Sequence, residues 1–192
     1  MKLLHLDSSI QGAESASRAI SAAIVGRFRD ADPGIDVAYR DLVADPIAHL
    51  TLDALATPQG QAVLDEFLAA DVVVIGAALY NFTIASQLKS WLDRILVAGK
   101  TFRYGESGPV GLAGGKRVIV AVARGANYAA GSPLASWEHA ETLLKLALGF
   151  IGIADAEFIV AEGLALGEEA RKASTDAAIR RALEIAPAPP AA

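Results

Sequence analysis

The 192-residue sequence contains no cysteine, so disulfides, thiolate nucleophiles and cysteine-held metal are excluded at the outset. Histidine is scarce too. His5, His49 and His139 stand far apart without ligand spacing, which argues against a metal site and leaves each as a structural or solvent-facing residue. Positive charge is not in excess: 17 Lys+Arg against 22 Asp+Glu, a formal net charge of -5, gives no electrostatic footprint for nucleic acid or an anionic membrane. No apolar run reaches membrane-spanning length, and Met1-Lys2-Leu3-Leu4-His5-Leu6-Asp7 turns polar too soon for a secretory signal, so a cytoplasmic protein is expected. What is plentiful is apolar character. At 53% hydrophobic residues with charges interspersed, the chain has enough to fill a core and a surplus for a subunit contact.

Hydrophobic patterning divides the chain into alternating strands and helices. Short apolar strands are expected at Lys2–Asp7, Ile35–Arg40, Val72–Leu79, Arg117–Ala123 and Ala156–Ala161. Between them lie helical segments: one opening at Ser15 or Ser17 and running to Phe28, then Gln59–Ala69, Ser86 to about Ala98, and Pro133–Phe150. A last helix, Glu168–Ile185, follows the fifth strand. The glycines of the stretch 99–115 precede a strand and read as turns. Such alternation argues for one parallel sheet covered on both faces. No repeat or second domain is present; residues 1–185 form the domain, and Ala186-Pro-Ala-Pro-Pro-Ala-Ala192 is a flexible tail.

The chain is organised around Val72–Ile95. The apolar run Val72–Leu79 lacks alternation, as a strand buried on both faces should, and it stops abruptly at Tyr80-Asn81-Phe82. These residues therefore lie at the carboxyl end of a central strand, the edge at which open parallel sheets bind ligands. Two aromatics around an asparagine suit the flanks of a flat heterocycle; equally, they suit an ordinary connection with both rings folded into the core. The loop after the first strand, Ser8-Ser9-Ile10-Gln11-Gly12-Ala13-Glu14-Ser15-Ala16-Ser17, offers hydroxyls and a helix N-terminus. That combination binds phosphate without lysine, although capping alone also explains it. It is neither a dinucleotide fingerprint nor a P-loop. A phosphoacceptor pocket fails because Ala77-Ala78 stand where its aspartate is needed, and Pro109 spoils a nucleophile elbow at Ser107.

Tyr80-Asn81-Phe82, Ser86-Gln87-Leu88-Lys89 and Trp91-Leu92-Asp93-Arg94 resemble the flavin loop of the FMN-dependent NADH-azoreductase and quinone reductase family. The likeness continues through 98–104, 108–112, Arg124-Gly125, 148–153 and Ala161-Glu162-Gly163-Leu164, and so covers nearly the whole chain in order. It implies a flavodoxin-like α/β fold: a doubly wound five-stranded parallel sheet of order 2-1-3-4-5 with helices on both faces. It implies bound FMN, NADH or NADPH as transient donor, and a quinone or azo acceptor, with no catalytic side chain because the flavin carries the chemistry. Donor and acceptor would use one pocket in turn. The resemblance places the FMN phosphate at Ser9, Ser15, Ala16 and Ser17, and the ring against Ala78, Leu79, Tyr80, Asn81 and Phe82. Its pyrimidine side falls at Ala123, Arg124, Gly125 and Ala126, where Arg124 is either a cation facing the flavin or a surface ion pair. Phe102, Tyr104, Phe150 and Tyr128 are pocket or interface residues of a homodimer with its site between subunits; packing is the alternative for the phenylalanines and Tyr104.

Two other readings compete: a flavodoxin-like FMN electron carrier with an acidic docking surface, and, because of departures from the family pattern, a member that has lost FMN. Ala78-Leu79 replace a common Pro-Met, Thr83 and Ala85 stand where small residues and proline are usual, Ala123 replaces serine, and Ala126 replaces a glycine. The last is expected to cost about 1 kcal/mol or more if that position needs positive φ.

Overall fold

The computed structural model describes residues 1–188. The chain opens with β1 (Lys2–Asp7) and α1 (Ala16–Ala31), then β2 (Asp36–Asp41), α2 (Pro58–Ala69) and β3 (Val72–Tyr80). A short strand β4 (Thr83–Ile84) doubles back on β3 before α3 (Ser86–Ile95). An antiparallel ribbon of β5 (Phe102–Gly105) and β6 (Gly108–Gly111) precedes β7 (Arg117–Ala123). The chain continues with α4 (Ala140–Phe150), β8 (Glu157–Ala161) and α5 (Glu168–Leu183).

The main sheet runs β2-β1-β3-β7-β8 with every neighbour parallel, which is the expected order 2-1-3-4-5 of a doubly wound sheet. Its centre is β3, and the side-chain alternation of a strand explains why both faces of β3 are apolar. Val73, Ile75 and Ala77 enter one core with Phe67 of α2, Trp91 of α3 and Leu144 of α4. Val72 and Val74 enter the other with Ile20, Ile24 and Phe28 of α1 and Ala178 of α5. Phe67 and Trp91 meet edge to face with centroids 5.8 Å apart. Because the winding reverses between β1 and β3, the loops that leave them diverge and open a crevice at the carboxyl edge.

Three expectations need correction. The glycine-rich stretch read as turns is the β5–β6 ribbon, which lies on the end of α4: the amide of Ala113 donates to the Ile151 carbonyl at 2.8 Å. The helix expected from Pro133 begins at Ala140, after a 3-10 turn at Ala135–Trp137. There the Glu138 carboxylate accepts the amides of Ala140, Glu141 and Thr142 at 3.0, 2.8 and 3.2 Å, satisfying donors that a helix start leaves free. Third, α3 ends at Ile95, short of the expected Ala98, because the Thr101 hydroxyl takes the Ile95 carbonyl and receives the Val97 amide. At the far end, Arg117 donates to the carbonyls of Ala186 and Ala188; residues 189–192 of the expected tail lie outside the described residues. No helix among the described residues is long and apolar enough to cross a membrane.

Candidate functional site

The loop after β1 delivers its hydroxyls to the start of α1. Ser15 takes the N-cap, accepting the Arg18 amide at 3.3 Å, and the Ser15 and Ser17 hydroxyls lie 3.1 Å apart. Ser9, Ser15 and Ser17 are all buried. The Ser15 carbonyl accepts the amide of Ala19, so the amides of Ala16 and Ser17 are the helix donors left without an acceptor among the described residues. Two free amides at the positive end of a helix, beside buried hydroxyls, suit a phosphate dianion. Arg18 takes no part in that cradle; its side chain leaves the helix toward Asp41.

At the end of β3 the structure differs from the expected loop. Tyr80 pairs with Thr83 and Leu79 with Ile84, so Asn81-Phe82 is a two-residue hairpin turn. Both residues have positive φ, 46° and 74°, as a primed hairpin turn requires. Asparagine tolerates that region, whereas phenylalanine is strained there by about 1–2 kcal/mol. The strain is held by tertiary contacts: the His139 amide donates to the Phe82 carbonyl at 2.9 Å, and the ring stands edge-on to Trp137, 5.5 Å between centroids. Phe82 stays 46% exposed and Tyr80 half-buried, so neither ring is absorbed by the core. The Tyr80 hydroxyl lies 3.0 Å from Ser9 Oγ and accepts the Ile10 amide at 3.2 Å, which joins the serine loop to the aromatic turn. Tyr80 and Asn81 also border a cavity of about 620 Å³ shared with Ile10, His49, Gln87 and Ser90.

The strained turn carries its own test. Phe82→Gly and Phe82→Ala delete the same ring, and glycine is ordinarily the less stable of the two; here the positive φ reverses the ranking. The glycine variant is expected to be more stable in urea by about 1 kcal/mol. Equal midpoints, or a more stable alanine variant, would remove the strain from the account.

The third loop leaves β7. The carbonyls of Arg124, Gly125 and Ala126 accept amides of Leu164, Ala165 and Gly163 at 3.1, 2.8 and 3.1 Å. In a planar trans peptide the following N–H points the opposite way, so the amides of Gly125, Ala126 and Asn127 face away from the 163–165 loop. Arg124 itself is neither a free cation nor a surface ion pair. It is 4% exposed, bound to Glu141 of α4, with Glu162 at 3.8 Å. Lys145 reaches the same Glu141 at 2.7 Å, so this cluster of two cations and two carboxylates is neutral. Tyr128 donates its amide to Glu162 at 3.1 Å and faces a cavity of about 510 Å³ lined by this charged group, distinct from the cavity that Tyr80 borders.

Phe102 is buried, with Phe150 at 4.6 Å and Tyr104 at 5.6 Å between ring centroids, so packing claims Phe102. Tyr104 is 74% exposed and Phe150 half-buried; among the described residues no ring contact or hydrogen bond links this aromatic cluster to the serine loop. The sequence reading missed Trp137 and the partners of Arg124. Only Glu162 carried a signal, as part of Ala161-Glu162-Gly163-Leu164.

A family model described as flavodoxin-like fold matches residues 1–186. The chain belongs to this family. It is 55% identical to FMN-dependent NADH:quinone oxidoreductase 2 of Bradyrhizobium diazoefficiens, over 96% of this chain and 98% of the relative. The FMN-dependent NADH:quinone oxidoreductase of Methylorubrum populi is 57% identical, over 96% and 98%. Among solved structures, the azoreductase from Bacillus anthracis strain Sterne matches with a TM-score of 0.85 at 28% identity, over 96% of this chain and 100% of that one. In this flavodoxin-like chain, two of the departures fall within regular structure. Ala78 and Ala123 are simply paired across the β3–β7 ladder. Ala126 is not among the residues with positive φ, so the cost expected there does not arise.

Proposed function

We propose that the chain is an FMN-dependent NADH:quinone oxidoreductase that also reduces azo compounds, acting as a cytoplasmic homodimer. The names of relatives above 50% identity support the activity, and one observation in the structure carries the site: the Ser9–Tyr80 junction, which ties a phosphate-type loop to an aromatic turn at the carboxyl edge of the sheet. Ser9, Ser15 and Ser17, with the amides of Ala16 and Ser17, would hold the FMN phosphate. Ala78, Leu79, Tyr80, Asn81 and Phe82 would lie along the ring, and the amides of Gly125 and Ala126 would meet its polar edge. When bound, FMN supplies the two-electron hydride chemistry, which is why no acid-base dyad or nucleophile is required of the protein. The chain's own residues bind, orient and shield. The nicotinamide donor and the quinone or azo acceptor would use one pocket in turn, a ping-pong order. Tyr104, exposed on its ribbon, and Phe150 at the end of α4 would complete the pocket of the partner subunit, with Tyr128 at its rim.

An electron carrier would need a concentrated acidic docking face. Here Asp41, Glu66, Glu141 and Glu157 are each matched by an arginine, which favours the enzyme. The deciding experiment is an absorbance spectrum after FMN addition and removal of excess, followed by anaerobic NADH. Retained flavin that bleaches with NADH is the expected result. Retained flavin that ignores NADH would turn the reading toward the carrier, and no retained flavin would sink both.

A further inference from the structure

We infer that Arg18, clamped by Asp41, is a positioning residue: it sets the Ser9–Ile10 peptide and through that peptide couples the serine loop to the Tyr80 hydroxyl. The inference rests on the FMN reading above. Arg18 stands in the first turn of α1, where a cation facing the phosphate cradle would be the simple expectation. Its guanidinium is instead used up on the other side. Nη1 and Nη2 donate to the two carboxylate oxygens of Asp41, both at 2.7 Å, in a fork-to-fork pair. Nε and Nη2 donate to the Ser9 carbonyl at 3.2 and 3.0 Å, and Nη1 also reaches the Tyr39 hydroxyl at 3.2 Å.

Pulling the Ser9 carbonyl toward Arg18 turns the N–H of the same planar peptide, that of Ile10, the opposite way. That N–H meets the Tyr80 hydroxyl at 3.2 Å, and Ser9 Oγ meets the same hydroxyl at 3.0 Å. One peptide thus spans the guanidinium on one side and the aromatic turn on the other. The anchor is itself fixed, because Asp41 accepts the amides of Val43 and Ala44 at 2.9 and 3.3 Å. Behind it, Asp7 accepts Ser21 at 2.9 Å and Tyr39 at 3.2 Å. The Arg18 guanidinium holds the Asp41 carboxyl down at about 2, so the clamp is ionised at neutral pH. A lysine has the charge but not the planar fork.

The test measures FMN dissociation constants by flavin fluorescence, with urea unfolding of the apoproteins alongside, for the parent, Arg18→Lys, Tyr80→Phe and the double variant. Asp41→Asn serves as a second, milder way to release the clamp. Arg18→Lys and Asp41→Asn are each expected to weaken FMN binding tenfold or more. In the double variant the Arg18→Lys loss should shrink to a few-fold, because the hydroxyl on which it acts is already gone. Two results overturn the inference alone: a parent that binds FMN while both clamp variants bind within twofold of it, or losses that multiply strictly in the double variant. A parent that binds no FMN takes the inference down together with the functional reading, and is recognised by that.

Discussion

Replacing Ser15 and Ser17 together by alanine is expected to weaken FMN binding on the order of a hundredfold or more while costing the fold far less. Each hydroxyl that donates to a phosphate dianion contributes about 1.5–3 kcal/mol, and every 1.4 kcal/mol is about a tenfold change in affinity. The structural cost is separable, since the two serines do different work in the chain alone. Ser15 caps α1 through the Arg18 amide, whereas the one polar partner of the Ser17 hydroxyl among the described residues is Ser15 itself. Loss of the cap is worth about 0.5–2 kcal/mol, and Ser17→Ala leaves that cap in place. Fluorescence titration with FMN, set beside urea midpoints for the single and double variants, distinguishes the roles. Should binding fall only in proportion to stability, the serines cap a helix and the phosphate lies elsewhere.

The parts of the molecule that could be read from the sequence are those encoded by local pattern. The unbroken apolar run Val72–Leu79 announces a strand covered on both faces, and its burial bears that out through Val72–Ala78; the strand order followed from the family likeness. The hairpin after it was not readable, because Asn81-Phe82 lacks the glycine that normally marks a primed turn. Its geometry is imposed from a distance by the His139 amide on the Phe82 carbonyl. Arg124 shows the same limit. Its place at the end of β7 was legible, but its burial and pairing are decided by Glu141 and Glu162, which stand 17 and 38 positions later in the chain. The clamp of Arg18 on Asp41 likewise joins two elements whose side chains no spacing rule relates.

The largest effect on folding is expected from the ribbon. A Cβ added at Gly111 would lie 2.2 Å from the Gly152 nitrogen and 2.3 Å from the Ile151 carbonyl carbon. These are backbone atoms, so no rotamer change relieves the clash, and Gly152 is itself held at φ 100°. The amide of Leu112 donates to the Thr101 carbonyl and that of Ala113 to Ile151, both at 2.8 Å, so the ribbon cannot lift away without breaking them. Gly111→Ala is expected to destabilise by about 3 kcal/mol or more, as overpacking against fixed atoms does, which for a chain of this size lowers Tm by roughly 6–12 °C. The same shift would part Phe102 from Phe150 and move Tyr104, so acceptor turnover should fall even where the protein stays folded. Gly105→Ala is the control: on the same ribbon its added Cβ meets nothing nearer than 3.6 Å, and its effect should stay within about 0.5 kcal/mol. A Gly111→Ala protein that melts with the control would show that the ribbon rides loosely on α4, and Tyr104 would then lose its claim to a fixed place at the pocket.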